Sequence, residues 1–171
     1  MAKLHRRSKW HRKPDADLLF NRAAKHEENG ELRSAFRLYL AGAKAGDMGC
    51  QINVGNFYDA GTGVRRNRSA ALYWYKRAYR RGVSSAASNI GILWRNANNP
   101  KRALGWFQRA VRLGDAEANL EIAKHYLRNE SNPRKAIQHL ENVCQSDWVT
   151  EAGVEEATML LKQTRAQLKR R

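Results

Sequence analysis

A motif of small and aromatic residues returns at near-constant intervals along this chain, and a repeat restricts the possible folds more than any single motif or composition does. Gly46, Gly82 and Gly114 fall 36 and 32 residues apart. Ala35-Phe36-x-x-Tyr39, Ala71-Leu72-x-Trp74-Tyr75-x-x-Ala78 and Ala103-Leu104-x-Trp106-Phe107-x-x-Ala110 occupy equivalent positions before them, and Ala136-Ile137-x-x-Leu140 is a weaker fourth copy. A second element precedes each of the later three: Val54-Gly55-x-Phe57-Tyr58, Ile90-Gly91-x-Leu93-Trp94 and Ile122-Ala123-x-x-Tyr126. Each unit is therefore two short segments, A and then B.

Both segments have helical spacing. Ala71, Trp74/Tyr75 and Ala78/Tyr79 recur at three and four residues, which gathers the apolar side chains on one stripe of a helix and not on one face of a strand. Asn99-Pro100 and Asn132-Pro133 supply a side-chain acceptor at the N-cap and a proline where its missing donor costs nothing, and Gly82 and Gly114 supply C-terminal stops. The small Gly55, Gly91 and Ala123 at matching A positions let a partner helix approach closely. The same offsets predict a first A helix over Leu18 to Glu28 and its B partner over Leu32 to Ala45, turned by Asn29-Gly30. Val154, Ala157, Leu160/Leu161, Thr164 and Leu168 form the stripe of a last helix that covers the open apolar face of the final unit. The expected fold is all-α: a right-handed α/α solenoid of about four helix-turn-helix repeats plus a C-terminal capping helix. A basic arm, flexible by its composition, occupies 1–14, the repeats 15–148 and the cap with its basic tail 149–171.

The chain resembles the Sel-one-like repeats, close relatives of the tetratricopeptide repeats. The residues that carry the resemblance are Gln51 to Gly82, including the loop Asp59-Ala60-Gly61-Thr62-Gly63-Val64. The next copy, Ser85 to Gly114, lacks that loop: Tyr58 and Ala71 are 13 residues apart, Trp94 and Ala103 only 9. The resemblance spans about Asp15 to Trp148 and is strong in the middle two units. It implies a helical-repeat solenoid whose A helices line a concave face that commonly holds peptides. Some secreted members bind or hydrolyse β-lactams, but those carry a regular cysteine pair in each repeat; this chain has only Cys50 and Cys144, so that activity is not carried over. Both cysteines read as buried small hydrophobes. The recurring aromatics, Trp74 and Trp106, Tyr75 and Phe107, and Tyr58, Trp94 and Tyr126, read as packing residues.

The charge is uneven. Lys and Arg number 32 against 16 Asp and Glu, a formal charge of +16, and no acid occurs between Asp59 and Asp115. Moving one repeat onto the next aligns Lys44 with Arg80 and Arg112, and Arg77 with Arg109. Together with Arg65, Arg66, Lys76 and Arg81 they predict a cationic ridge along the outer side of the B helices. Solvated helix faces usually mix signs, so the ridge reads either as such a face or as the footprint of an anionic partner. On the concave side the offsets place Asn53, Asn89 and Glu121 at one level and Asn56, Ile92 and Lys124 at the next. Asn carries donors and an acceptor, so a ladder of them suits the backbone of an extended peptide. The arm carries Arg6, Arg7, Trp10 and Arg12 without an acid; it is a solvated tail, a segment packed back through Trp10, or a strand of cations along phosphates with the indole on a base.

No Walker loop, GxSxG, HExxH or metal-spaced His/Cys set is present, and His125 and His139 fall on different predicted helices. The expectation is a protein without catalysis, metal, cofactor or small-molecule substrate. No run of apolar residues is long enough to span a bilayer and no signal segment is evident, which predicts a cytoplasmic protein. The leading function is an adaptor that binds an acidic protein or peptide, for example an immunity-type stoichiometric inhibitor. The alternative is nucleic-acid binding through the arm and the ridge.

Overall fold

The computed structural model describes residues 15–128 and 132–170. Among them are nine α-helices and no strand: α1 Ala16–Glu28, α2 Leu32–Ala45, α3 Met48–Ala60, α4 Arg68–Tyr79, α5 Ser84–Asn96, α6 Pro100–Arg112, α7 Ala118–Arg128, α8 Pro133–Cys144 and α9 Glu151–Lys169. Four A–B pairs are followed by a capping helix. All substantial helix–helix packing is between elements consecutive in sequence, as a solenoid requires.

The caps follow from single side chains. Asp47, Asn67, Asn99, Asn132 and Thr150 each accept a hydrogen bond from the backbone N–H three residues on, and so start α3, α4, α6, α8 and α9. Gly46 and Gly61 end α2 and α3 in the left-handed conformation.

A reciprocal size rule joins A to B within each unit. A Cβ on Gly55 would stand 2.3 Å from the Tyr75 ring, and one on Gly91 2.6 Å from the Phe107 ring. In the fourth unit the A position is Ala123 and the B residue is the smaller Leu140; both are fully buried in one cluster. Ring and glycine are thus the two halves of one contact, which is why they recur together. Ala35, Ala71, Ala103 and Ala136 at the start of the B helices are all buried.

The aromatic positions divide in two. Tyr39, Tyr75 and Phe107 are buried, while Tyr58, Trp94, Trp106 and Tyr126 are half-buried and pack at the margins of the core. Burial pushes the Tyr39 and Tyr75 hydroxyls well above the ordinary tyrosine range, Tyr39 with help from the Glu27 carboxylate, which accepts its hydrogen bond at 2.9 Å. Cys50 is buried and its thiol is pushed up to about 12 by desolvation and then by Asp47. Cys144 departs from expectation. It follows the buried Val143 by one residue, hence about 100° around α8, and lies exposed beside Thr158, with Sγ 3.6 Å from Oγ1.

Candidate interaction surfaces

Sequence register places the B-helix cations together, but the structure gives them different work. Arg77 lies over the Trp74 ring at 5.7 Å and donates to the Tyr73 hydroxyl at 3.3 Å, and its repeat equivalent Arg109 lies over Trp106 at 4.8 Å and donates to the Gly105 carbonyl at 2.9 Å. Arg68 and Arg102 sandwich Trp94 at 5.0 and 4.4 Å, and Arg68 also donates to the Leu93 carbonyl. Arg81 donates to the Gly46 carbonyl at the end of α2. Arg68, Arg77, Arg102 and Arg109 thus cover the outer edges of Trp94, Trp74 and Trp106, and with Arg81 on its carbonyl they leave less charge free than the sequence implies. Arg66 faces Asp59 at 3.7 Å.

Lys44, Arg65, Lys76, Arg80 and Arg112 are exposed, as the ridge reading expects. Tyr73, 55% exposed, stands on α4 with Lys76, and Arg80 is the C-cap of that helix. It was not singled out from the sequence because its repeat equivalents are Arg37 and Gly105, so no aromatic recurs there. The arm residues Arg6, Arg7, Trp10 and Arg12 lie outside the described residues.

On the opposite face two adjoining cavities, of about 490 and 470 Å³, open between the A helices. Asn56, Asn89 and Ile92 line the first, and Asn89, Ile92, Glu121 and Lys124 the second, so five of the six groove residues read from the sequence are brought together. The ladder has a different rung from the expected one. Asn89 donates to Asn56 Oδ1 at 3.3 Å, and the Tyr75 hydroxyl donates to the same oxygen at 2.8 Å. Asn53, on the neighbouring level, lies half-buried by the Tyr39 hydroxyl and lines neither cavity. Asn56 keeps its NH2 group and Asn89 its carbonyl for an incoming backbone.

The second cavity contains what sequence reasoning missed. Ser88, Asp115, Glu117, Thr150 and Glu156 line it beside Glu121 and Lys124, over a floor that includes Ile92, Phe107 and Leu120. Lys124 Nζ lies 2.8 Å from Glu156 and 3.7 Å from Glu121, and Arg95 also pairs with Glu121, at 2.5 Å. Ser88 donates to Asp115 at 2.5 Å and Thr150 to Glu117 at 2.7 Å. The repeat offsets do not reach Glu156: the steps from Asn53 to Asn89 and from Asn89 to Glu121 are 36 and 32 residues, and taken on from Glu121 they land on Ala157 and Gly153.

His139 sits between α7 and α8, its Nδ1 2.9 Å from Asn119 Oδ1 and its ring stacked on Tyr126. Desolvation, then the nearby Lys135, holds its pKa below the usual imidazole value. His125 is lowered too, by burial and Arg128. Among the described residues no cluster of His, Cys, Asp and Glu has the arrangement of a metal site, and no helix is long and apolar enough to cross a membrane.

Comparison with known proteins agrees with this architecture. The Sel1 repeat model matches residues 49–83, which hold the second unit, and 95–115, which hold the B helix of the third. No curated protein matches the chain. A Sel1 repeat protein from Oxalobacter formigenes superposes with a TM-score of 0.72 at 24% identity over 90% of this chain and 63% of its own. The protein c5321, a protective antigen present in uropathogenic Escherichia coli strains and described as displaying an SLR fold, gives 0.70 at 16% identity over 90% of this chain and 38% of its own. YrrB, a TPR protein with an unusual peptide-binding site, gives 0.61 at 23% identity over 92% and 79%. The chain thus spans less than two thirds of the length of the first two structures. With the paired helices and the glycine–aromatic contacts, residues 49–83 and 95–115 match the Sel1 repeat, and the chain as a whole has the helical-solenoid fold of the Sel1-repeat and TPR structures it superposes on.

Proposed function

We propose that the chain is a non-catalytic, cytoplasmic interaction module that binds an acidic protein, with the outer ridge meeting the partner's acidic surface and the amide-lined half of the groove holding a backbone segment. The observation that carries this reading is the exposed set Lys44, Arg65, Lys76, Arg80 and Arg112, of which all but Lys44 fall within the 55 positions between Asp59 and Asp115 that hold no acid. Evenly signed charge would serve solubility as well; a single-signed ridge instead attracts an anionic surface and speeds encounter. Asn56 and Asn89, tied to each other and to Tyr75, are held in place before a ligand arrives, which lowers the ordering cost of binding. A stoichiometric inhibitor of an acidic protein is one form such a module takes.

Tyr73 favours a second reading. An exposed ring beside Lys76 and Arg80 has the composition of a platform on which a base stacks while phosphates meet the cations. Affinity capture from native lysate with and without nuclease separates the two. Under the leading reading a protein is retained after nuclease treatment, and it is lost with Arg80→Glu and Arg112→Glu together. Retention by that double variant overturns the ridge, and recovery of nuclease-sensitive material alone replaces the acidic protein with a nucleic acid.

A further inference from the structure

The groove is not uniform in charge. Its first half is lined by three amides, Asn56, Asn89 and Asn96, and by one acid and one base, Asp59 and Arg66, which face each other, while its second half is lined by Asp115, Glu117, Glu121 and Glu156. In a chain of 16 acids and 32 Lys and Arg, four of the acids and only one of the bases, Lys124, line that second cavity. Polarity here is the reverse of the whole molecule's.

We infer that the second half of the groove receives an arginine or lysine side chain of an extended partner segment. This rests on the reading of the chain as an interaction module and adds the chemistry of what enters the groove. Lys124 is already held by Glu121 and Glu156, and Glu121 is further engaged by Arg95. Asp115 accepts from Ser88 and from the Ala118 N–H at the start of α7. Glu117 is different: it is exposed, accepts one bond from Thr150, and a carboxylate has room for several more. Glu156 is likewise only partly covered, with a side-chain exposure of 41%.

The cavity also has the shape for a long cationic side chain. Ile92, Phe107 and Leu120 give its methylenes an apolar floor, and the carboxylates stand where its charged end would lie. Neighbouring A helices spaced about 8–10 Å apart make the track from α3 to α9 roughly 25–30 Å long. At about 3.3–3.6 Å per residue that is roughly eight residues of extended chain. A segment with its backbone on Asn56 and Asn89 therefore reaches the carboxylates with its next few residues. An acidic segment would meet like charge there, so the acidic surface of the partner belongs on the ridge and its basic residue in the groove.

The net positive charge makes the test sharp, since general electrostatics repels a cationic probe. Two blocked peptides of equal length, alanine–serine chains carrying either two arginines or two glutamates, are titrated into the full ¹⁵N-labelled chain. The arginine peptide is expected to shift the amides of Ser88, Asn89, Glu117, Glu121 and Glu156, and Glu117→Gln with Glu156→Gln to weaken it about fivefold, the worth of roughly 1 kcal/mol of ion pairing. Arg80→Gln with Arg112→Gln should leave its affinity unchanged, so failure of the ridge and failure of the groove are read separately. No shift with the arginine peptide, equal shifts at the same amides with the glutamate peptide, or undiminished affinity in a spectroscopically folded Glu117/Glu156 double variant would each overturn the inference.

Discussion

At the scale of single residues, most of the order in this molecule is set by where a side chain is missing. Gly55 and Gly91 lie in helices, where alanine is better by about 1 kcal/mol on propensity alone. Their neighbours reverse that preference, because an added Cβ would stand 2.3 and 2.6 Å from buried rings that have no room to retreat. Gly55→Ala and Gly91→Ala should each lower stability by about 1–3 kcal/mol, measured by urea denaturation. Gly105, on α6, meets nothing nearer than the flexible end of Arg109 at 3.4 Å, so Gly105→Ala should instead stabilise by roughly 0.5–1 kcal/mol. His139 gives a second test. Its folded pKa lies below the unfolded value, so the unfolded chain takes up protons first as pH falls. Its contribution is present above the unfolded pKa, near 6.5, and fades as pH drops through and below that value. Stability should therefore decline from neutral pH toward 5, and less so in His139→Gln, the remainder including the similarly lowered His125.

For the helices as elements, the beginnings were legible and the outer faces were not. Asn-Pro at 99–100 and 132–133 marks the starts of α6 and α8 because an acceptor at the cap and a fixed φ just after it act locally, with no need of the rest of the fold. Asn99→Ala and Asn132→Ala should each cost about 1 kcal/mol, again by urea midpoint, and serine at either position should restore most of it. The outer face of a B helix has no such local rule. Arg77 and Arg80 look alike in the chain, yet Arg77 covers Trp74 while Arg80, at the C-cap of α4, is exposed. Arg77→Ala should lose about 0.5–1 kcal/mol with the indole contact, whereas Arg80→Ala should stay within about 0.5 kcal/mol of the parent.

Across the whole molecule the periodicity of the chain settled the architecture by itself. Small and aromatic residues returning every unit leave one way to bury every stripe, which is to stack the pairs, and the A and B assignments of α1 to α8 follow from sequence offsets alone. The same arithmetic found Asn56, Asn89, Ile92, Glu121 and Lys124 as neighbours in the groove, but its steps of 36 and 32 residues pass either side of Glu156. It did not find Ser88, whose repeat equivalents Ile52 and Leu120 are apolar, nor Asp115, Glu117 and Thr150, which lie in the turns before α7 and α9, nor that Asn53 is drawn toward Tyr39 instead of the cavities. What tertiary structure alone decided is the sorting of charge. A sequence counts cations, but packing determines which of them are spent over indoles and carbonyls, which stay in water, and that four acids spread from 115 to 156 converge on one hollow. Ion pairs and ring faces are met across helices, at distances that no spacing along the chain encodes.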